Sequence, residues 1–479
     1  MNPPALVVTH VQVGVRPVEL RLPFRFGAVT LERCPQLFIR VELQVEGRAA
    51  TGHAAEMMVP RWFDKRPGFS MQDNVLQLAA SVQRAAGAYL NDRPVPAFGL
   101  FDRHYAALMD DGQRSGATAL TAAYGQAVLD RAVLDAACNA TGLSFFEAAA
   151  CNLPGLCDST TMPDLQGHDW PAWLGTLQPL RQVAARHTVG MLDGLSSLAE
   201  DDSQDGLPVS LPAVIARYGH RYFKIKLGGQ PQADADRLAA VLEVLDAHAP
   251  DYRFTLDGNE QYADGAALGA LFDALQPVLD QGRPGQRRQA LLYLEQPVAR
   301  DRSLHEELPW AESPAPLLMD EADGRLADWP QGRPLGWTGV SSKSCKGFYK
   351  ALINRARVQR CNQDAVRDGS PARFFMSAED LTCQAGLSVQ QDLALAALLG
   401  LAHAERNGHH YGPGFGSAPA QEQQAFASAH PDLYSGSPPR LHIHNGLLQL
   451  GSLFAPGLAH SAQPDWQAMQ PLTDCSALV

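Results

Sequence analysis

Five residues that can bind a cation or move a proton recur along the middle of the chain: Lys226, Asp257, Glu295, Asp320 and Lys343. The gaps between them are 31, 38, 25 and 23 residues, each close to one strand-plus-helix unit. Each of the five ends a short apolar strand. In RYFKIKL, Tyr222, Lys224 and Lys226 share one face, and Phe223, Ile225 and Leu227 share the other. A parallel barrel packs its outer face under helices, so the apolar set must face outward and both lysines inward. Two inward lysines are costly unless anions or a metal site balance them. Asp257, Glu295 and Asp320 likewise oppose apolar neighbours on their strands. Three consecutive strands therefore deliver one carboxylate each to the C-terminal end, where barrel enzymes keep their active sites.

Three converging carboxylates repel one another and would hold protons unless a cation joined them. All-oxygen ligands suit a hard octahedral ion, Mg²⁺ first and Mn²⁺ second. No His or Cys falls at these strand ends, which argues against zinc there. Lys343, in GVSSKSCKG, reaches the centre from the side opposite Lys226. An amine acts as a base only when neutral, and a free lysine has a pKa of roughly 10.4. A nearby dication and a second lysine lower that value. Two such amines can remove a proton from one face of a carbon and return it to the other. The carbon would adjoin a carboxylate chelated by the metal, with the resulting enediolate charge stabilised there. Lys346, three residues beyond Lys343, has a supporting or loop role.

These strands need a scaffold of alternating strands and helices. Apolar runs at 223–227, 254–256, 291–294, 317–319, 339–342 and 374–376 alternate with Ala- and Leu-rich helical stretches, which predicts parallel strands closed into a barrel. The first 65 residues read as strands, through alternation at Val11, Val13 and Val15 and again from Leu37 to Val45. Helical spacing follows at 74–90 and 123–140, so the N-terminal part is an α+β unit. The expected division is an α+β domain over 1–158, a connecting insertion over 159–186, a barrel over 187–430 and a C-terminal segment over 431–479. Within it, 53–65 is a loop carrying Met57, Met58, Trp62 and Phe63, 281–289 is a polar loop, and 441–450 is one further strand.

The chain has 479 residues, 46% of them hydrophobic and 19% charged, which fits a globular protein of two domains. A net charge of −12 disfavours binding to nucleic acid or acidic lipid. The eight cysteines lack CxxC spacing and read as buried free thiols of a reducing compartment. There is no export signal at the N-terminus and no run of 18 apolar residues, so the expectation is a cytoplasmic protein. His409–His410 and the alternating His442 and His444 find no third ligand at sensible spacing and read as structural. YGPGFGS lacks the Lys-Ser or Lys-Thr of a phosphate loop, and no GxSxG elbow occurs.

Taken in order, KIK, LDGN, LEQP, MDE and SSK resemble the enolase superfamily, and within it the muconate-lactonizing-enzyme-like and mandelate racemase-type group. LPFRFGAVTLE and AVLDRAVLDAACNATG resemble the capping domain of that family. The resemblance implies a modified (β/α)₇β TIM-like barrel with an N-terminal α+β capping domain completed by the C-terminal tail. It implies Mg²⁺ ligands Asp257, Glu295 and Asp320, with acid/base groups Lys226 and Lys343. Lys224 would polarise the substrate carboxylate or tune Lys226, and Asn259 and Glu321 would support the ligands. Met57 and Trp62 of the capping loop would select a small carboxylate-containing substrate, with Ser377, Glu379 or Asp380 as further contacts. The reaction would be racemisation, epimerisation or cycloisomerisation through an enediolate. The alternatives are β-elimination of water, as in o-succinylbenzoate synthesis, a non-catalytic binding barrel, or a Schiff-base aldolase using Lys343. A homo-oligomer is expected.

Overall fold

The computed structural model describes residues 2–27, 29–196, 205–249, 251–282 and 285–479. Positions 283 and 284 of the expected polar loop 281–289 lie outside the described residues. The chain opens with three antiparallel strands, β1 (Leu6–Phe26), β2 (Val29–Val45) and β3 (Arg48–Met57). The alternating residues Leu37, Ile39, Val41, Leu43 and Val45 are all buried. Strand β3 runs further than the sequence suggested. Residues 53–57, expected in a loop, continue the ladder with β2 as far as the pairing of Met57 with Gln36. Small residues permit this. A side chain on Gly52 would place a carbon 2.1 Å from the Ala132 carbonyl, so strand and helix touch backbone to backbone.

Three helices cover this sheet: α1 (Met71–Tyr89), α2 (Ala97–Arg114) and α3 (Ala119–Thr141). Helix α1 begins on a Ser70–Asp73 capping box, and α3 runs from a Thr118 cap to Gly142 in the left-handed conformation. Helix α2 was not anticipated, because Pro94, Pro96 and Gly99 punctuate its start as a loop would. Its apolar residues Phe98, Phe101 and Leu108 are nevertheless buried. Two short helices follow, α4 (Phe145–Ala150) and α5 (Trp170–Leu174).

The second unit is a closed barrel of eight parallel strands. They are β4 (Gln182–Val189), β5 (Tyr222–Lys226), β6 (Arg253–Asp257), β7 (Leu291–Glu295), β8 (Leu317–Met319), β9 (Gly339–Ser342), β10 (Phe375–Ala378) and β11 (His403–Arg406). Each pairs with the next, and β11 returns to β4 through Ala404–Ala185 and Arg406–His187. The first strand begins at Gln182, ahead of position 187. Helices α6 (Leu211–Tyr218), α7 (Pro231–His248), α8 (Gly265–Leu279), α9 (Gln286–Ala290), α10 (Asp328–Gly332), α11 (Phe348–Arg367) and α12 (Leu387–Leu398) fill the crossings. The β7–β8 crossing holds only a 3₁₀ turn, Trp310–Glu312. After β11 come α13 (Gly408–Tyr411) and α14 (Ala420–Ala429).

The tail engages both units. A small hairpin, β12 (Tyr434–Ser435) and β13 (Arg440–Leu441), precedes β14 (Leu447–Gln449), which pairs antiparallel with β4. The single strand expected over 441–450 is thus broken: Asn445 and Gly446, both at positive φ, turn the chain between β13 and β14. Finally β15 (Gln470–Pro471) adds to the edge of β1. All eight cysteines are free thiols; Cys157 is exposed, Cys151 and Cys361 are half-buried, and the rest are buried. Among the described residues, no helix is long and apolar enough to cross a membrane.

Candidate active site

Barrel closure decides what the five spaced residues face. Of the eight strands, β5 and β9 lie four apart in the ring, so Lys226 at the end of β5 and Lys343 just past β9 approach from opposite walls. Asp257, Glu295 and Asp320 occupy the ends of β6, β7 and β8 on the arc between them. All three carboxylates are fully buried, and Lys226 and Lys343 are 5% and 4% exposed. Lys226 Nζ donates to Asp257 Oδ2 at 2.6 Å and to Asn259 Oδ1 at 2.9 Å. Lys343 Nζ donates to Asp320 Oδ2 at 2.6 Å. Lys346, in the 3₁₀ turn after β9, lies beneath Asp320, donating to its carbonyl at 2.9 Å and pairing with Asp323 at 2.9 Å.

Lys224 is the centre of the cluster. Its ammonium lies 2.9 Å from Asp257, 2.7 Å from Glu295 Oε2, 3.0 Å from Glu379 and 2.9 Å from Glu405. Three N–H bonds cannot serve four carboxylates. The three go to Glu295 Oε1, Glu379 Oε2 and Glu405 Oε2, while Glu295 Oε2 and the buried Glu321 Oε2 receive no aligned hydrogen. Burial and the neighbouring Asp257 and Glu379 push the Glu295 carboxyl well above the usual range. Burial also works to raise Asp257, but Lys224 and Lys226 outweigh it and hold that carboxyl low. Asp320 is held low in the same way by Lys343, Lys346 and Lys224. Burial alone would favour loss of the Lys343 proton, yet Asp320 outweighs it and raises the amine above its ordinary pKa. The lowering expected from the sequence is therefore absent while Asp320 directs its charge at the amine.

Five buried carboxylates, Asp257, Glu295, Asp320, Glu379 and Glu405, face four lysine ammoniums, Lys224, Lys226, Lys343 and Lys346, and the Arg186 guanidinium. An all-oxygen donor set in which the buried Glu295 Oε2 lacks a donor fits a hard divalent cation. The groups already at metal-ligand spacing are different ones, among them His187, His220 and His409. At the mouth, the lysines occupy the acids instead.

The capping unit closes this mouth. Trp62 lies over Lys343, with the ammonium 4.3 Å from the ring centroid, and Phe24 of β1 lies 5.7 Å from the Lys226 ammonium. Phe24, Phe26, Trp62, Lys226, Lys343 and Asp380 help enclose a cavity of about 20 Å³, room for little more than one water. Arg300 holds the loop in place, donating to the Trp62 and Phe63 carbonyls at 2.9 and 2.8 Å and pairing with Glu260. Lys65 adds ion pairs to Glu260 at 2.7 Å and Glu321 at 3.0 Å. On the other side, Arg131 of α3 pairs with Glu56 at 3.0 Å, and Glu56 accepts from Ser344, the neighbour of Lys343.

The structure gathers Lys224, Lys226, Lys343, Asp257, Glu295, Asp320, Asn259 and Trp62 at one place. Asn259 links Lys226 to Glu321, to which it donates at 3.3 Å. Met57 stands apart: it ends β3, fully buried in the core, and does not line the cavity. Ser377 sits a layer below the mouth, bonded to Tyr293 and Arg186. Glu379 is committed to Lys224, Tyr293 and Arg186, leaving Asp380 as the seventh-strand residue on the cavity wall. Glu405 was not anticipated. It is the third residue of β11, HAER, a strand too short and polar to stand out, and the visible signal was its place one unit after Glu379. Arg300, Lys65 and Glu56 were also missed, since nothing local distinguishes a latch from a surface charge.

No protein-family model matches the sequence, and no curated protein matches it. Solved structures do match the fold. A muconate lactonizing enzyme from Mycobacterium smegmatis, complexed with muconolactone, superposes with a TM-score of 0.62 at 15% identity, covering 96% of this chain and 98% of that one. A dipeptide epimerase from Enterococcus faecalis V583, complexed with Mg and L-Leu-L-Tyr, gives 0.59 at 16%, covering 95% and 99%. An enolase from Bradyrhizobium, complexed with magnesium and mandelic acid, gives 0.60 at 16%, covering 97% of each chain.

Proposed function

We propose, from this shared enolase-superfamily fold, that the protein is a Mg²⁺-dependent enzyme removing the proton α to a substrate carboxylate. The observation that carries this is the placement of Lys226 and Lys343 on opposite walls of the barrel, with the three acids on the arc between them. Asp257, Glu295 and Asp320 would hold the ion, which when bound supplies charge stabilisation for an enediolate and competes for the carboxylates now paired with lysine. Lys226 and Lys343 meet the two faces of a substrate carbon lying between them, so one takes a proton and the other returns one. Lys224 supplies fixed positive charge where a substrate carboxylate would sit. Trp62 and Phe24 exclude water from the exchange, and the loop must withdraw for entry because the closed cavity is far smaller than a substrate. Magnesium in the dipeptide epimerase and the Bradyrhizobium enolase, and the names of the epimerase and the lactonizing enzyme, support this reading. Racemisation, epimerisation or cycloisomerisation follows from two working bases.

One observation favours a second reading. Lys343 donates to Asp320 at 2.6 Å, a geometry that lets Lys343 serve as a cation while Lys226 is the single base, as in β-elimination. Incubation with N-acyl amino acids, dipeptides and sugar acids in D₂O with Mg²⁺ separates the two. Two bases give deuterium at the α-carbon with inversion, and Lys226→Ala or Lys343→Ala lowers the rate by about 10²–10⁴-fold. Loss of water without inversion selects elimination. Exchange unchanged in both variants, or unaffected by chelator, refutes the proposal.

A further inference from the structure

On the outer side of the barrel wall, three histidines far apart in sequence meet. His187 lies on β4, His220 just before β5, and His409 on α13; they are 1%, 1% and 7% exposed. The sequence offered His409 no third ligand, because its partners arrive from positions 222 and 189 residues away. His409 Nε2 lies 3.3 Å from His187 Nδ1 and 3.2 Å from His220 Nε2, and all three ligand nitrogens fall within 4.8 Å of one another.

Hydrogen bonding among neutral imidazoles satisfies this arrangement poorly. His220 Nδ1 faces the Ala185 carbonyl at 3.0 Å and must carry the hydrogen, so its Nε2 presents a lone pair to the cluster. His409 Nε2 has at most one hydrogen to share between two facing nitrogens. Its other nitrogen, Nδ1, is buried without a partner, so no bond fixes that ring in the competing tautomer. A tetrahedral zinc site with Zn–N bonds of about 2.0–2.1 Å sets its ligand nitrogens about 3.3–3.4 Å apart. The two measured separations match that edge. The Nδ1 bond of His220 to a carbonyl is also the outer contact that orients a ligating histidine.

We propose that His187, His220 and His409 bind a zinc ion, distinct from the magnesium of the catalytic mouth. All-imidazole ligation suits Zn²⁺ and disfavours Mg²⁺. Burial favours the unprotonated rings, holding His220 down to about 4 and keeping His187 and His409 well below the ordinary histidine value. The nearby cations are already engaged: Arg406 with Asp392, and Arg21 with Asp205. Asp193 accepts from Tyr411 and Gly190 and, with His410, lies within 4.8 Å of His187, so a carboxylate and a fourth imidazole stand beside the cluster. The ion would fasten β4 to the segment entering β5 and the helix leaving β11, the seam where the barrel closes.

The test uses the whole, untagged protein loaded with zinc in excess Mg²⁺ and then gel-filtered. The expected result is one retained zinc per chain, with an X-ray absorption shell of nitrogens near 2.0 Å and imidazole scattering from three histidines. His409→Gln and His220→Gln should each weaken zinc retention by more than about tenfold, the loss that even an outer partner of a metal ligand can cause. Asp257→Asn should leave it unchanged. No retained zinc, or an oxygen-dominated shell, would mean a hydrogen-bonded histidine cluster only and would overturn the assignment. The absorption measurement decides on wild-type protein even if a variant fails to fold.

Discussion

Removing a lysine costs something different at each position in the mouth. Without Lys343, Asp320 keeps Ser341 and Lys346 as neighbours, and without Lys226, Asp257 keeps Lys224. Lys224 has no such deputy, because Glu295 and Glu405 lean on it alone among the lysines. Lys224→Met should therefore destabilise the protein by about 3–5 kcal/mol in chelator, the cost of leaving buried charges unpaired. Added Mg²⁺ should recover part of that loss by taking over the same carboxylates. Urea unfolding with and without Mg²⁺ reads both numbers, and recovery no larger than in wild type would count against a metal at these acids.

At the scale of elements, the capping loop is held by its own carbonyls, through Arg300, and by its own Lys65 side chain. Arg300 contributes two charge-assisted hydrogen bonds to the backbone at Trp62 and Phe63, each worth about 1.5–3 kcal/mol where it closes on the barrel. Trp62 then covers Lys343. Arg300→Ala should raise KM through a looser lid and lower stability by about the few kcal/mol that these bonds contribute. Amide exchange over residues 58–66 should speed up in the variant, and exchange as slow as in wild type would show that Lys65 alone suffices as the latch.

Across the whole molecule, the C-terminal segment ties the two units together and contributes a pH dependence. His430 is fully buried, contacts Ser452 Oγ at 3.0 Å and accepts from the Ser461 backbone at 3.3 Å. Burial, then His460, holds its pKa down to about 4, against about 6.5 in an unfolded chain. The unfolded state thus binds the proton first. This group's contribution is complete above about pH 6.5 and is lost as pH falls toward about 4, by about 1.4 kcal/mol per pH unit. His430→Gln should flatten the slope of stability against pH by that amount within the window, as measured by denaturant titrations from pH 7 to 4. An unchanged slope would show that His430 is solvated in the native state.

Strand periodicity alone fixed which side chains of RYFKIKL, FTLDGNEQY and LLYLEQP point inward, because period two leaves no choice once one face is apolar. Unit spacing then ordered Lys226, Asp257, Glu295, Asp320 and Lys343 around a ring. What remained hidden was every contact made across large sequence distance. Glu405 joins Lys224 from a strand of four residues, and Arg300 reaches Trp62 over 238 positions. Glu56 and Arg131 meet beneath Ser344, and three histidines converge behind β4. Local pattern records the direction of a side chain, which the backbone sets within a few residues. The identity of its partner depends on how the ring closes and how the cap docks, and only the tertiary structure decides that.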